Sequence, residues 1–239
     1  MTEDFYVGYS PKAPARLGRR VAWIAAGIVF TGLAAGAVLL LNQPSFADSK
    51  FEFGVVREYT GTIEEWPVAM LRTSAEHFLL VAPGKHGLAV AGYQGKSVRL
   101  SGSLIERGAD RMLEVPQESV HEIAPLALAS SSAPVRLGRV TLRGEIVDSK
   151  CYLGVMNPGN GKVHRDCAAR CISGGAPPAF VVMDSRGETH LLLLVGADGR
   201  ALHREVLPFV AEPLEVSGEL IRADSVLVLQ ADPAQFRRL

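Results

Sequence analysis

Hydrophobic positions follow two different patterns along the chain: one long apolar run near the N-terminus, and many short alternating runs after it. Residues 21–41 contain no charged side chain. A helix of this length spans about 30 Å, the thickness of the hydrocarbon core of a bilayer. Beyond residue 50, apolar and polar positions alternate over short segments that end at glycine-containing turns. The pattern therefore predicts one transmembrane helix followed by antiparallel β-structure.

Positive charge lies mainly on one side of the predicted span, where Lys12, Arg16, Arg19 and Arg20 precede it. The positive-inside rule then predicts a cytoplasmic tail over 1–20, a transmembrane helix over 21–41 and a periplasmic remainder in a bacterial inner membrane. Ser45-Phe-Ala47 resembles a signal-peptidase site, whose use would remove the anchor. The apolar run is longer than that of a usual signal peptide, which favours a retained anchor.

The span also carries the small-residue spacing Gly32-x-x-x-Gly36, a candidate face for packing against another transmembrane helix. We therefore expect two partners, the lipid bilayer and another membrane protein or complex. The formal net charge is +0, with 25 Lys+Arg against 25 Asp+Glu. No basic cluster occurs beyond the residues that set the topology, so a nucleic-acid partner is disfavoured.

Two parts of the exported region share one pattern. Each contains a Gly-x-Ile strand, an apolar strand, a turn and a Ser-Gly-x-Leu-Ile strand, and the closest match joins residues 98–105 to residues 214–221. About five short strands in each copy resemble the OB-fold barrel. We predict a mainly β fold with two tandem OB-like antiparallel barrels, over 50–124 and 139–231. The Ser/Ala/Pro-rich segment 125–138 reads as their linker.

All three cysteines lie beside a histidine in an insertion of the second copy. If Val163–Ile172 is one helix that ends at the following glycine pair, His164, Cys167 and Cys171 share a face at spacings i, i+3 and i+7. Cys151 follows a strand-like run, and the glycine-rich loop after it allows it to approach that face. These four residues predict a Cys₃His metal site within a short inserted helix and its preceding loop.

Thiolate and imidazole donors narrow the metal to zinc, copper(I) or an iron–sulfur cluster. Asp148 and Asp166 are candidates for orienting His164 from outside the donor set, or are ordinary solvated carboxylates. Three cysteines equally allow one disulfide with a free thiol, and the pairing stays open. Inert thiols are the third alternative.

The segment Gly144-x-x-x-Asp-x-x-Cys151, followed by Cys167-x-x-x-Cys171 and a glycine pair, resembles a group of exported bacterial proteins with small β-barrel domains. The resemblance covers residues 144–175. It implies an exported β-domain that carries a cysteine site, and it implies no reaction.

No recognisable catalytic motif is present, so we expect a protein without enzymatic activity. The expected role is a membrane-anchored, exported accessory or metal-binding subunit of a complex in electron transfer or metal handling. One alternative is a structural adaptor with two barrels whose cysteines form a stabilising disulfide. Another is a thiol redox protein that uses the thiolate of Cys151 or Cys167.

Overall fold

The N-terminal helix is a structural unit of its own. The computed structural model describes residues 14–43, 48–128 and 132–239. Helix α1 covers Ala15–Leu41, none of its side chains is buried, and it is long and apolar enough to cross a membrane. A signal sequence near the N-terminus has the same properties. The helix starts earlier than the predicted residue 21, so its first turns include the arginines. Lys12 and the Ser45-Phe-Ala47 sequence lie outside the described residues.

The rest of the chain forms a second compact unit that contains two β-barrels. In the first barrel, the strands pair in the closed order β2-β3-β4-β6-β5-β2; β4 and β6 run parallel and the other pairs antiparallel. The short strands β1 and β7 pair with β5. The strands are β1 Ser49–Phe51, β2 Arg57–Glu64, β3 Met70–Arg72, β4 His77–Val81, β5 Ser97–Arg107, β6 Asp110–Glu114 and β7 His121–Glu122.

The second barrel repeats this arrangement. Its strands close in the order β8-β9-β10-β12-β11-β8, again with one parallel pair, β10 and β12. Strand β13 pairs with β11. The strands are β8 Val135–Asp148, β9 Pro178–Met183, β10 Thr189–Val195, β11 Leu214–Ala223, β12 Val226–Ala231 and β13 Arg237–Arg238. The predicted mainly β fold with two OB-like barrels is therefore confirmed.

The matching segments 98–105 and 214–221 lie in equivalent strands of their respective barrels, β5 and β11. Duplication of one ancestral unit stays a prediction. Strand β8 begins at Val135, inside the range predicted as linker, and residues 129–131 of that range are outside the described part of the chain. Val135 is exposed and is paired along the backbone with β11.

Strands β4 and β10 are buried on both faces, which explains their unbroken apolar sequences. In β4, Phe78 and Leu80 face the core of the first barrel. Leu79 and Val81 belong to a second core that also contains Leu193 of β10. That second core includes side chains from both barrels, whereas the remaining apolar face of β10 fills the core of the second barrel. The two barrels thus share a hydrophobic interface.

The predicted insertion separates β8 from β9. It contains a helical turn over Cys151–Val155, a 3₁₀ turn over Lys162–His164 and helix α2 over Arg165–Ser173. Helix α2 ends at the glycine pair, where Gly175 has φ +102°, a value that favours glycine. The insertion thus contains the predicted short Cys/His helix, and this helix ends at the glycine pair, as predicted.

Candidate metal centre

The end of strand β8 and helix α2 bring the four predicted ligands into one region. Cys151 follows the strand end by three residues, His164 ends the 3₁₀ turn, and Cys167 and Cys171 lie near the start and near the end of helix α2. Cys151, His164 and Cys171 are each no more than 3% exposed. Cys167 is half-buried. The donors are therefore shielded from water, apart from a limited opening at Cys167.

Their donor atoms converge in two overlapping groups. One atom from each of Cys151, His164 and Cys167 lies within 4.8 Å of the others, and the same limit holds for Asp148, Cys151 and Cys171. The Sγ atoms of Cys151 and Cys171 are 3.9 Å apart. Two thiolates on a tetrahedral zinc ion, each at about 2.3 Å, lie about 3.8 Å apart. The spacing of this sulfur pair is thus the one that a shared metal ion requires.

A buried carboxylate holds the histidine in place. Asp148 is 0% exposed, and its Oδ1 accepts the backbone N–H of Cys151 at 2.8 Å. Its Oδ2 lies 3.0 Å from Nε2 of His164. With Nε2 as the proton donor, the lone pair of the imidazole is on Nδ1, which is then free to bind a metal. This carboxylate–histidine arrangement is typical of metal ligands in proteins.

The other carboxylate candidate is placed differently. Asp166 is exposed in the first turn of helix α2, and the structure shows no hydrogen bond from its side chain within the described residues. Of the two aspartates, only Asp148 contacts the imidazole. Asp166 therefore fits the alternative of a solvated carboxylate.

All three cysteines are free in the structure, which contains no disulfide among them. The pKa of Cys171 is lowered to about 7, first by the hydrogen bond with Cys151 and then by the nearby Lys85 ammonium group, while burial opposes the shift. The pKa of Cys151 is raised, first by the same hydrogen bond and then by burial. The contact between these two sulfur atoms thus favours the thiolate on Cys171 and the protonated thiol on Cys151.

A lysine that the sequence did not indicate completes the surroundings of the sulfur atoms. Lys85 lies in the turn after β4 in the first barrel. Its Nζ donates to Sγ of Cys167 at 2.9 Å and approaches Sγ of Cys171 to 3.7 Å. The hydrogen bond with Cys167 is the main cause of the raised pKa of Lys85, so the amine stays protonated at neutral pH. Since 82 residues separate Lys85 from Cys167, no local spacing could reveal the contact.

The backbone of the same turn packs directly against the end of helix α2. The N–H of Gly87 donates to the carbonyl of Gly174 at 3.0 Å. A Cβ atom at Gly174 would lie 1.8 Å from the carbonyl oxygen of Lys85, so only glycine permits this approach. The glycine pair at the end of helix α2 therefore also allows the turn of the first barrel to pack against this helix.

A second lysine, carried by the second barrel, binds to the backbone of the first barrel. Lys150, in the second barrel, is 2% exposed, and its Nζ donates to the carbonyls of Ala82 at 2.9 Å and Gly84 at 2.7 Å. It also forms an ion pair with Glu114 of β6. Burial of a lysine requires such partners. Lys150 therefore fixes the turn that carries Lys85.

A second group of candidate ligands, Glu64, His77 and Asp224, lies away from the cysteines. Here Nε of Arg72 is 2.7 Å from the Glu64 carboxylate, and His77 is 3.4 Å from Asp224. The Arg72 guanidinium group already supplies positive charge to the Glu64 carboxylate, and His77 contacts Asp224 of the second barrel, so the arrangement is that of a polar contact between the barrels.

Gly32 and Gly36 lie on the described helix α1, and an added Cβ at either position would meet no atom within 4 Å. Their packing against another helix stays a prediction. Comparisons of the sequence with protein-family models and with curated proteins find no match. The resemblance to exported β-barrel proteins also stays a prediction, and the chemistry of the centre rests on its own geometry.

Proposed function

We propose that this protein is a membrane-anchored, exported accessory protein whose second barrel binds a thiolate-favouring metal ion through Cys151, His164, Cys167 and Cys171. The observation that carries the proposal is the convergence of Cys151, His164 and Cys167 beside a carboxylate that orients the imidazole. Three sulfur donors and one imidazole suit zinc or copper(I). Common iron–sulfur clusters use four thiolates, one more than the chain contains, so a single ion fits better.

The donor set supports a non-catalytic role. Catalytic zinc sites keep a coordination position for water or substrate, whereas four protein donors close the sphere. The burial of three of the donors agrees with a closed site. Metal handling, or structural support of a membrane complex, is therefore the role that we propose.

The proposed topology places the N-terminus in the cytoplasm and the barrels outside. It rests on the apolar helix and on Arg16, Arg19 and Arg20 at its N-terminal end. Intact-mass analysis of the protein isolated from membranes tests the anchor. A mass that includes residues 21–41 supports it, and a mature N-terminus at Asp48 would show that the helix is a cleaved signal sequence.

Metal content tests the main proposal. The full chain is isolated from membranes under reducing conditions, and its metal is measured by elemental analysis. We expect about one ion per chain, lost in His164→Ala because that change removes a ligand. The matched control is His203→Ala, since His203 contacts the same helix through the carbonyl of Ile172, at 3.1 Å, but lies outside the donor groups.

A thiol redox function is the second candidate, favoured by the 3.9 Å separation of Cys151 and Cys171 and by the lowered pKa of Cys171. The same preparation distinguishes the two. Absence of stoichiometric metal, together with a reversible disulfide between Cys151 and Cys171 found by mass spectrometry, would replace the metal-binding proposal with the redox one.

A further inference from the structure

The ammonium group of Lys85 is a positive charge in direct contact with two of the candidate metal ligands. It lies 2.9 Å from Sγ of Cys167 and 3.7 Å from Sγ of Cys171. The backbone of the turn is held by Gly174 on one side and by Lys150 on the other. The first barrel therefore presents a fixed positive charge to the sulfur atoms of the second.

The charge of a loaded centre follows from its ligands. Three thiolates and a neutral imidazole carry three negative charges in total, so a zinc ion leaves a net charge of −1 and a copper(I) ion leaves −2. Asp148 adds a further negative charge nearby. Because several negative charges are costly in a buried site, an adjacent cation stabilises the loaded state.

We propose that Lys85 acts as a positioning residue of the metal centre: it compensates the negative charge of the loaded thiolates, so that the first barrel supplies part of the site. This inference rests on the proposed function. Lys85 binds through hydrogen bonds to the ligand sulfur atoms and is not itself a ligand. Charge compensation also gives the residue a preference between ions, since the ammonium group stabilises the −2 centre more than the −1 centre.

The test compares the affinities of three full-length variants for zinc and for copper(I), each measured by competition with a chelator. Lys85→Met removes the charge and keeps an apolar side chain of similar length. Lys85→Arg keeps the charge. His86→Gln is the matched control, because His86 is the exposed neighbour in the same turn.

We expect Lys85→Met to weaken zinc binding about tenfold and copper(I) binding about a hundredfold, within the range seen for partners outside a ligand set. Lys85→Arg should restore most of the affinity for both ions, and His86→Gln should change neither. Damage to packing alone would weaken both ions equally and would not be rescued by arginine.

Two results would overturn the inference. The first is an equal loss for zinc and copper(I) in Lys85→Met, and the second is unchanged affinity for both ions. Circular dichroism of each variant confirms that the barrels are folded. Failure of the proposed function itself gives a different result, because the unsubstituted protein would then bind neither ion stoichiometrically.

Discussion

Replacement of Asp148 by asparagine tests whether the carboxylate sets the tautomer of the His164 imidazole and thereby its affinity for a metal ion. The carboxylate accepts the N–H of Cys151 at one oxygen and lies 3.0 Å from Nε2 of His164 at the other. Asparagine retains an oxygen for the Cys151 N–H, but its amide NH₂ then faces Nε2. The imidazole must turn its lone pair toward that amide, which places its proton on Nδ1, the nitrogen that would bind the metal.

The magnitude follows from this one hydrogen bond. A hydrogen bond to a charged group contributes about 1.5–3 kcal/mol. Since about 1.4 kcal/mol corresponds to a tenfold change in affinity, Asp148→Asn should weaken zinc binding about 10- to 100-fold. Competition with a chromophoric zinc chelator at neutral pH measures the change. The variant should stay folded, because the substitution preserves the shape of the side chain.

Asp166→Asn is the control for this prediction. It makes the same chemical change on an exposed residue of helix α2, two positions after His164, and should leave the affinity for zinc unaltered. Equal affinities of the two variants for zinc would refute the reasoning. The buried carboxylate would then have no part in setting the tautomer of the imidazole.

Three further outcomes test the surroundings of the site. The pKa of Cys171 is lowered to about 7, below an unfolded value of about 8.5. The Cys171 thiolate therefore contributes stability that is fully present above about pH 8.5 and is lost as the pH falls through about 7, whereas the raised pKa of Cys151 acts in the opposite direction at alkaline pH. Thiolate absorbance of the metal-free protein should rise near pH 7, and this rise should be absent in Cys171→Ala. Lys150→Ala leaves Glu114 without its buried partner and should lower the free energy of unfolding by about 3 kcal/mol in denaturant titrations, whereas the exposed Lys162→Ala should change it little. Gly174→Ala forces a Cβ into the backbone of the first-barrel turn and should cost about 3 kcal/mol by the same assay; a variant as stable as the unsubstituted protein would contradict the described contact.

The fold could be predicted from the sequence because its signals are local or repeated. The Ser-Gly-x-Leu-Ile segments occur in the same strand of both barrels, so one pattern identified two domains. The glycine pair marks the end of the helix expected over Val163–Ile172, which overlaps the observed α2 over Arg165–Ser173, and His164 lies in the 3₁₀ turn just before it. In each case the information lies within a short stretch of chain, where periodicity and capping act.

The parts that could not be predicted depend on contacts between the barrels. Lys85 resembles an ordinary turn lysine, and its contact with Cys167 joins residues 82 positions apart. Asp148 and Asp166 look equivalent in sequence, but Asp148 ends strand β8 and is buried, whereas Asp166 lies on the outer face of helix α2. Alternation along β4 is hidden because the second barrel covers the face that would otherwise be polar.

The contacts of Lys85 and Lys150 depend on the same turn of the first barrel. Lys150 of the second barrel donates hydrogen bonds to the carbonyls of Ala82 and Gly84. Lys85, which directly follows Gly84 in the chain, donates to the Cys167 thiol of the second barrel. A shift of the turn breaks both sets of contacts, because one short stretch of backbone carries them. The burial of Lys150 therefore does more than join two barrels, since it fixes the position from which Lys85 reaches the sulfur atoms. Stability of the barrel interface and the electrostatics of the thiol cluster are for this reason two properties of the same contact.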